Sequence, residues 1–311
     1  MQKGLLSILA LGNAALDVIS VVERLPLLDE KMPTEVVRID AGGPAATAAA
    51  TAARLGIDVS LAAAIGDDAT GILICELNEQ DGVDVSLITR QAGKTSPVSM
   101  VIANQRRFRA IVWSYGDTEP YQFSTLLNDY NELCDMLLLD GKEMVSGLKL
   151  ARIRHKRGTL TMLDAGTLRE GMLELAGECR LVGMSHKFAT QLVGEFNPGL
   201  ALEKIRSLGA EYAIVTAGTD GCWGLGPNGV LLHQPIFPLE VVDSTGADDI
   251  FHGAWAAAQL KGMDWRQQLR YASGAAALGC RFPGGRAGIP TWVELEKFIR
   301  QFPDIKPMEI K

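Results

Sequence analysis

Apolar residues along this chain come in short continuous runs separated by longer amphipathic stretches. Residues 5–11 form an apolar run interrupted only by Ser7, the pattern of a strand buried on both faces of a parallel sheet. Residues 18–39 differ: short β-rich pieces are interrupted by charges and prolines, as in Arg24-Leu25-Pro26 and Glu30-Lys31-Met32-Pro33. Gly42 and Gly43 open an alanine-rich helix that runs through Leu55 and stops at Gly56. A strand over 59–65 follows, then a helix from the Asp67/Asp68 pair to about Gln80, with Gly82 as its stop.

Residues 98–103 and 107–113 pattern as two strands of a hairpin around Asn104-Gln105-Arg106. With 18–39 they are expected to form a small sheet outside the main domain. From Asp135 onward strands at 136–139, 159–163, 181–184 and 213–216 alternate with helical stretches, the first at 142–156. That rhythm predicts parallel strands joined by crossover helices. A hairpin around Pro227-Asn228-Gly229 and three helices beginning near Gly246, Trp265 and Thr291 complete the chain. The expectation is a single α/β domain over 1–311, a mostly parallel sheet flanked by helices. It carries a small β lid made by about 18–40 and 97–115.

Composition supports a sizeable core: of 311 residues 47% are hydrophobic and 22% charged. The net charge of −7, from 30 basic and 37 acidic residues, argues against a nucleic-acid partner. Cys75, Cys134, Cys179, Cys222 and Cys280 are scattered, with no CxxC or Cys/His cluster. Reduced thiols in a cytosolic protein are the simplest account. The stretch after Lys3 has the look of a short secretion signal, but Gly12 and Asn13 break it and no small-x-small site follows. No apolar run reaches membrane-spanning length.

The most informative segment is Val241-Val242-Asp243-Ser244-Thr245-Gly246-Ala247-Asp248-Asp249-Ile250-Phe251-His252-Gly253. A strand-like approach gives way to a glycine turn and then a helix. Free N–H groups at a helix start suit an anion, and a carboxylate beside it could take a proton from an attacking hydroxyl. An Asp-rich helix cap without a ligand is the competing account.

This segment resembles the C-terminal signature of the ribokinase-like (phosphofructokinase B type) carbohydrate kinases, Asp-Thr-x-Gly-Ala-Gly-Asp. The resemblance implies that Asp249 is the catalytic base and that Gly246, Ala247 and Asp248 cradle the transferring phosphoryl group, with Asp243 near the nucleotide phosphates. Ala41-Gly42-Gly43-Pro44-Ala45-Ala46-Thr47 resembles the family's sugar-contacting turn, implying substrate roles for Gly42, Gly43 and Thr47. Asp17 matches its acidic sugar ligand. Thr216-Ala217-Gly218-Thr219-Asp220-Gly221 is similar to its nucleotide-phosphate loop, implying that Thr216, Gly218 and Gly221 bind nucleotide. These landmarks stand in the family's order from Gly12 to Pro290. ATP with Mg2+, a sugar acceptor and a homodimer paired through lid strands are implied with them.

Three positions depart from the family pattern. Asp248 stands where a glycine is usual; if it points into the site, a like charge at about 4 Å and an effective dielectric near 20 costs about 4 kcal/mol, or about a thousandfold in rate. Thr47 replaces an asparagine. Ser185-His186-Lys187-Phe188 replaces the Asn-x-x-Glu element linked to magnesium, which leaves the metal ligands unassigned.

Lys31 and Lys142 fall where the family contacts its acceptor. If both face the pocket, they suit an acidic sugar, phosphorylated, sulfonated or carboxylated. Glu30-Lys31, the Gly42–Thr47 stretch and Pro283-Gly284-Gly285-Arg286-Ala287-Gly288-Ile289-Pro290 resemble the sulfofructose kinase branch. Trp113 and Ser114 replace its expected asparagine, and Lys142 its expected arginine. Arg286 is a nucleotide or substrate contact, or a loop anchor. The four histidines show no metal spacing, and His252 is expected to pack.

The expected activity is ATP-dependent phosphorylation of a primary hydroxyl of a sugar or sugar derivative. The alternative is a catalytically impaired sugar- or nucleotide-binding regulator. A nicotinamide-dependent dehydrogenase is disfavoured, because Gly12-Asn13-Ala14-Ala15-Leu16-Asp17 replaces the Gly-x-Gly-x-x-Gly turn.

Overall fold

The computed structural model describes residues 6–34, 36–104 and 109–310. The chain begins with β1 (Ser7–Leu11), β2 (Ala15–Val22), β3 (Val36–Gly42), α1 (Pro44–Arg54), β4 (Asp58–Ala62) and β5 (Ala64–Gly66). It continues through α2 (Ala69–Gln80), β6 (Thr89–Gln91), β7 (Val98–Asn104), β8 (Arg109–Ser114) and α3 (Thr125–Leu133). The alternating part is β9 (Met136–Leu139), α4 (Met144–Arg157), β10 (Leu160–Ala165), α5 (Met172–Gly177) and β11 (Leu181–Ser185). After α6 (His186–Val193) and α7 (Pro198–Ser207) come β12 (Tyr212–Thr216), β13 (Cys222–Leu225) and β14 (Leu231–Gln234). Helices α8 (Ala247–Leu260), α9 (Trp265–Gly279) and α10 (Trp292–Arg300) precede β15 (Met308–Glu309).

Nine strands form the main sheet in the order β15-β14-β13-β12-β11-β10-β9-β1-β4. From β4 to β12 every neighbour is parallel, and the β12–β15 edge is antiparallel. The parallel strands are short apolar runs because helices cover both faces. Alternate residues feed two cores. Ile8, Ala10, Met136 and Leu138 join α1, α8, α9 and α10 on one face. Leu9, Leu11, Leu137 and Leu139 join α4 to α7 on the other.

The alanine richness of α1 has a packing reason. Its alanines apart from Ala53 are buried, and a Cβ on Gly253 of α8 would come within 2.3 Å of the Ala48 carbonyl oxygen. Small residues on both helices thus let α1 and α8 approach closely, and both helices begin at the same edge of the sheet. The lid is a separate four-stranded sheet, β3-β2-β7-β8.

Some expectations shift. The strand expected over 59–65 changes partner at Ala63: β4 pairs with β1, while β5 pairs with β6 in a two-stranded sheet. Helix α4 starts at Met144 rather than 142, because the Lys142 N–H donates to the Asp140 carboxylate at 2.8 Å and holds that stretch as a loop. Helices α3 and α5 were not expected; both are short. The turn expected around Asn104-Gln105-Arg106 falls largely on 105–108, outside the described residues, although β7 and β8 do pair antiparallel.

Candidate active site

The carboxyl ends of β1, β9, β10, β11 and β12 open into one cavity of about 790 Å3. Open α/β sheets bind ligands at this edge, beside the strand where the chain reverses its direction of travel across the sheet. That strand here is β1, flanked by β4 and β9. The lining includes Asn13, Pro44, Asp140, Asp164, Ser185, Thr216, Ser244 and Asp249, with Trp113 and Tyr115 from the lid side.

Asp140 ties this edge together. Its Oδ2 accepts the N–H of Asn13 at 2.7 Å and of Ala45 at 3.2 Å, and its Oδ1 accepts that of Lys142. The carboxylate fits because Gly12 has no side chain: a Cβ there would lie 2.2 Å from Asp140 Oδ1. Burial raises the pKa of Asp140, an effect its backbone donors oppose. Asp17 repeats the device at the lid. Its carboxyl occupies the recess over Gly42, where a Cβ would come within 2.2 Å. The Ser99 hydroxyl donates to it across the β2–β7 ladder. Burial raises its pKa too.

Helix α8 starts at Gly246, whose φ of +70° is the left-handed conformation that glycine adopts without strain. In the first turn the Ala247 N–H donates to the Ser244 carbonyl at 3.3 Å, and those of Asp248 and Asp249 come before the helix's own ladder begins. Asp248 and Asp249 sit in that turn and both line the cavity. Asp249 is half-buried at its floor. Its pKa is raised well above the ordinary carboxylate value, first by desolvation and then by Asp164, Asp248, Asp140 and Asp17. Asp248 is exposed to the cavity, so its charge is partly hydrated.

Of the residues expected to contact ligands, Lys142, Thr216, Gly218, Ala247, Asp248 and Asp249 line this cavity. Others serve behind it. Gly43 takes a φ of +91° against the Asn13 carbonyl to start α1, and Thr47 is buried within that helix. Gly221 has no room for a side chain, since a Cβ would meet the Gln234 carbonyl oxygen at 2.2 Å. Asp243 accepts the Thr245 N–H at 2.9 Å and the Gly284 N–H at 3.0 Å, pinning two loops together. Arg286 turns its Nη1 towards α2, donating to Asn78 at 3.0 Å and Asp81 at 3.1 Å as a loop anchor would, while its Nε and Nη2 are buried without a hydrogen-bond partner among the described residues. Lys31 is exposed and outside the cavity lining.

The structure adds Arg169, Tyr115 and Asp164, which the sequence reading missed, and gives Lys142 its neighbours. Arg169 lines the cavity and donates to the Asp140 carbonyl at 3.3 Å. Lys142 lies over the Tyr115 ring, which contacts Trp113. Asp164 lines the cavity floor and stands 3.0 Å from His252 Nδ1. Only its position at the carboxyl end of an apolar strand could have flagged Asp164.

Comparisons agree with this geometry. A sequence profile of the pfkB family carbohydrate kinases matches residues 5–292. The ribokinase of Bacillus subtilis is 27% identical over 94% of this chain and 99% of its own length. The ATP-dependent ribose-1-phosphate kinase of Halopiger xanaduensis is 26% identical over 94% of this chain and 98% of its own. A candidate ribokinase from Agrobacterium tumefaciens superposes with a TM-score of 0.90 and 31% identity, covering 97% of this chain and 99% of that one.

Proposed function

The chain belongs to the pfkB family of carbohydrate kinases, and on that premise we propose that it transfers the γ-phosphoryl group of Mg·ATP to a primary hydroxyl of a sugar bearing an anionic group. The observation that carries this reading is the meeting, in one cavity, of Asp249, the start of α8 and cations that include Lys142 and Arg169. Asp249 takes the proton of the attacking hydroxyl, and the N–H groups of the α8 start stabilise charge on the transferring group. Asp17 orients acceptor hydroxyls from the lid. Lys142 and Arg169 receive the anionic substituent, with the aromatic pair beside them. The phosphorylated acceptor in the name of the Halopiger relative supports an acidic sugar; a sulfonated sugar has the same charge chemistry.

Thr216 and Gly218 take the nucleotide phosphates, and magnesium arrives with them. Among the described residues no cluster of three or more His, Cys, Asp or Glu is arranged to hold a metal. That fits a Mg2+ held mainly by substrate phosphates and water. The five cysteines are free thiols, which supports a reducing, cytosolic setting. No helix among the described residues is long and apolar enough to cross a membrane.

The test is ADP release from ATP and Mg2+ across neutral, phosphorylated and sulfonated sugars. The expected result is turnover with an acidic acceptor, and a loss of about a thousandfold or more in kcat on Asp249→Asn. Preference for neutral sugars would overturn the acceptor class, and full turnover by Asp249→Asn would overturn the mechanism. Because Asp248 faces the cavity, a second reading stands beside this one: a regulator that binds sugar and nucleotide and forms no product.

A further inference from the structure

His252 is fully buried, on the turn of α8 that follows Asp249. Its Nδ1 is 3.0 Å from Asp164 Oδ1, and Asp164 is 3% exposed. The imidazole occupies a slot made by Gly183: a Cβ there would come within 2.3 Å of His252 Nε2. Gly183 is the ladder neighbour of Asp164 across β10 and β11. Thus strand register, a missing side chain and helix position together bring one imidazole to one carboxylate. The residues that follow His252, from Gly253 to Ala258, are glycine and alanine apart from Trp255. Filling space is a poor account of a polar ring there, since an apolar side chain would do so without the cost of burying polar groups.

The surroundings give the pair a purpose. Asp17, Asp140, Asp164 and Asp248 all act on Asp249 with like charge. The cations of the cavity wall, Lys142, Arg169 and Lys187, stand among its lining residues, the latter two exposed. Facing His252 are Asp164 from β10 and Asp248 from its own helix. The buried residues of α1 are alanines and threonines, and those of α9 are uncharged. Desolvation opposes a charge on the His252 ring, but the Asp164 and Asp248 carboxylates outweigh it and raise its pKa.

We propose that His252 and Asp164 are a buried positioning pair in which the protonated imidazole neutralises the Asp164 carboxylate, leaving Asp249 ionised to receive the acceptor's proton. The pair rests on the reading of Asp249 as the base. It touches no reacting atom; it sets the charge and the place of the group that does.

The experiment is the pH profile of kcat/KM for the natural protein, His252→Gln, Asp164→Asn and the double variant. In His252→Gln the Asp164 charge is left uncancelled, so the acidic limb is expected to move up by about one pH unit. In Asp164→Asn the imidazolium charge, still supported by Asp248, is left uncancelled, so the limb moves down. The double variant restores the limb close to its natural position. A purely structural pair would lower kcat/KM by the same factor at every pH, and that outcome, like shifts of equal sign in both single variants, overturns the proposal. If His252→Gln does not fold, an NMR titration of the His252 ring in the natural protein carries the test: an imidazolium across the pH range of activity is expected, and a neutral ring there overturns the proposal. Asp249→Asn run in parallel separates the two ideas: its full activity would remove the base, whereas its inactivity with unmoved limbs would remove only the pair.

Discussion

Asp248 shows how one residue changes the expectation for the site. It lines the cavity beside Asp249 and acts on it with like charge, and in the proposed transfer it would also oppose an incoming phosphoryl group. It is also exposed, so the relevant dielectric lies near that of water and the repulsion at about 4 Å falls from about 4 towards about 1 kcal/mol. Asp248→Gly is therefore expected to raise kcat about fivefold to tenfold rather than a thousandfold. Steady-state kinetics of both proteins decide this. A gain from silence to turnover would instead identify the natural protein as the non-catalytic regulator. Asp17 and Asp140 show a second residue-scale lesson: each carboxylate exists in its place because a glycine, Gly42 or Gly12, leaves the space.

Helices α1 and α8 act as one element pair. Their close approach through Ala48, Thr51 and Gly253 sets where the α8 start meets the ends of the strands. A Cβ at Gly253 would collide with the Ala48 carbonyl, Ala48 Cα and the Thr51 side chain. Gly253→Ala is expected to cost about 1–3 kcal/mol in stability. It should also lower kcat more than it raises KM, because the displaced α8 carries Asp249 and the helix-start N–H groups on which the proposed transfer rests. Thermal unfolding with parallel kinetics checks both. Unchanged kcat in a destabilised variant would show that α8 shifts without moving the site. The motif around Gly246 and Asp249 was legible as a helix start from sequence, but its partner helix was not, since alanine-rich patterning says that a helix packs closely without saying against what.

The whole molecule exposes one large apolar surface on the lid. Val18, Ile39, Met100 and Val112 stand in one cross-strand row spanning all four lid strands. Met100 is 55% and Val112 65% exposed, and Val37 on the same face is exposed too. The opposite face carries Asp17, Ser99 and Trp113 in one cross-strand row, and Trp113 lines the cavity. We propose that a second copy of the chain covers the apolar face, since a continuous apolar face in water calls for a partner. Met100→Glu with Val112→Lys is expected to turn a dimer into a monomer in size-exclusion chromatography with light scattering. A natural protein that is already monomeric at micromolar concentration would rule this surface out as a dimer interface.

Hydrophobic period, glycine punctuation and the order of the short motifs determined the α/β class, the lid and the position of Asp249, because these depend on neighbours close along the chain. The same local logic placed the starts of α1 and α8. Tertiary structure alone decided which polar residues face the cavity. Arg169 and Asp164 from the end of β10 meet Lys142 from the end of β9 there, while Arg286 and Asp243 hydrogen-bond to loop and helix neighbours. It likewise converted His252 from an expected packing residue into the partner of Asp164, 3.0 Å away. The reason is physical: sequence spacing specifies the face of a strand or helix, whereas the direction of a charge is settled by which distant backbone and side chains compete to solvate it.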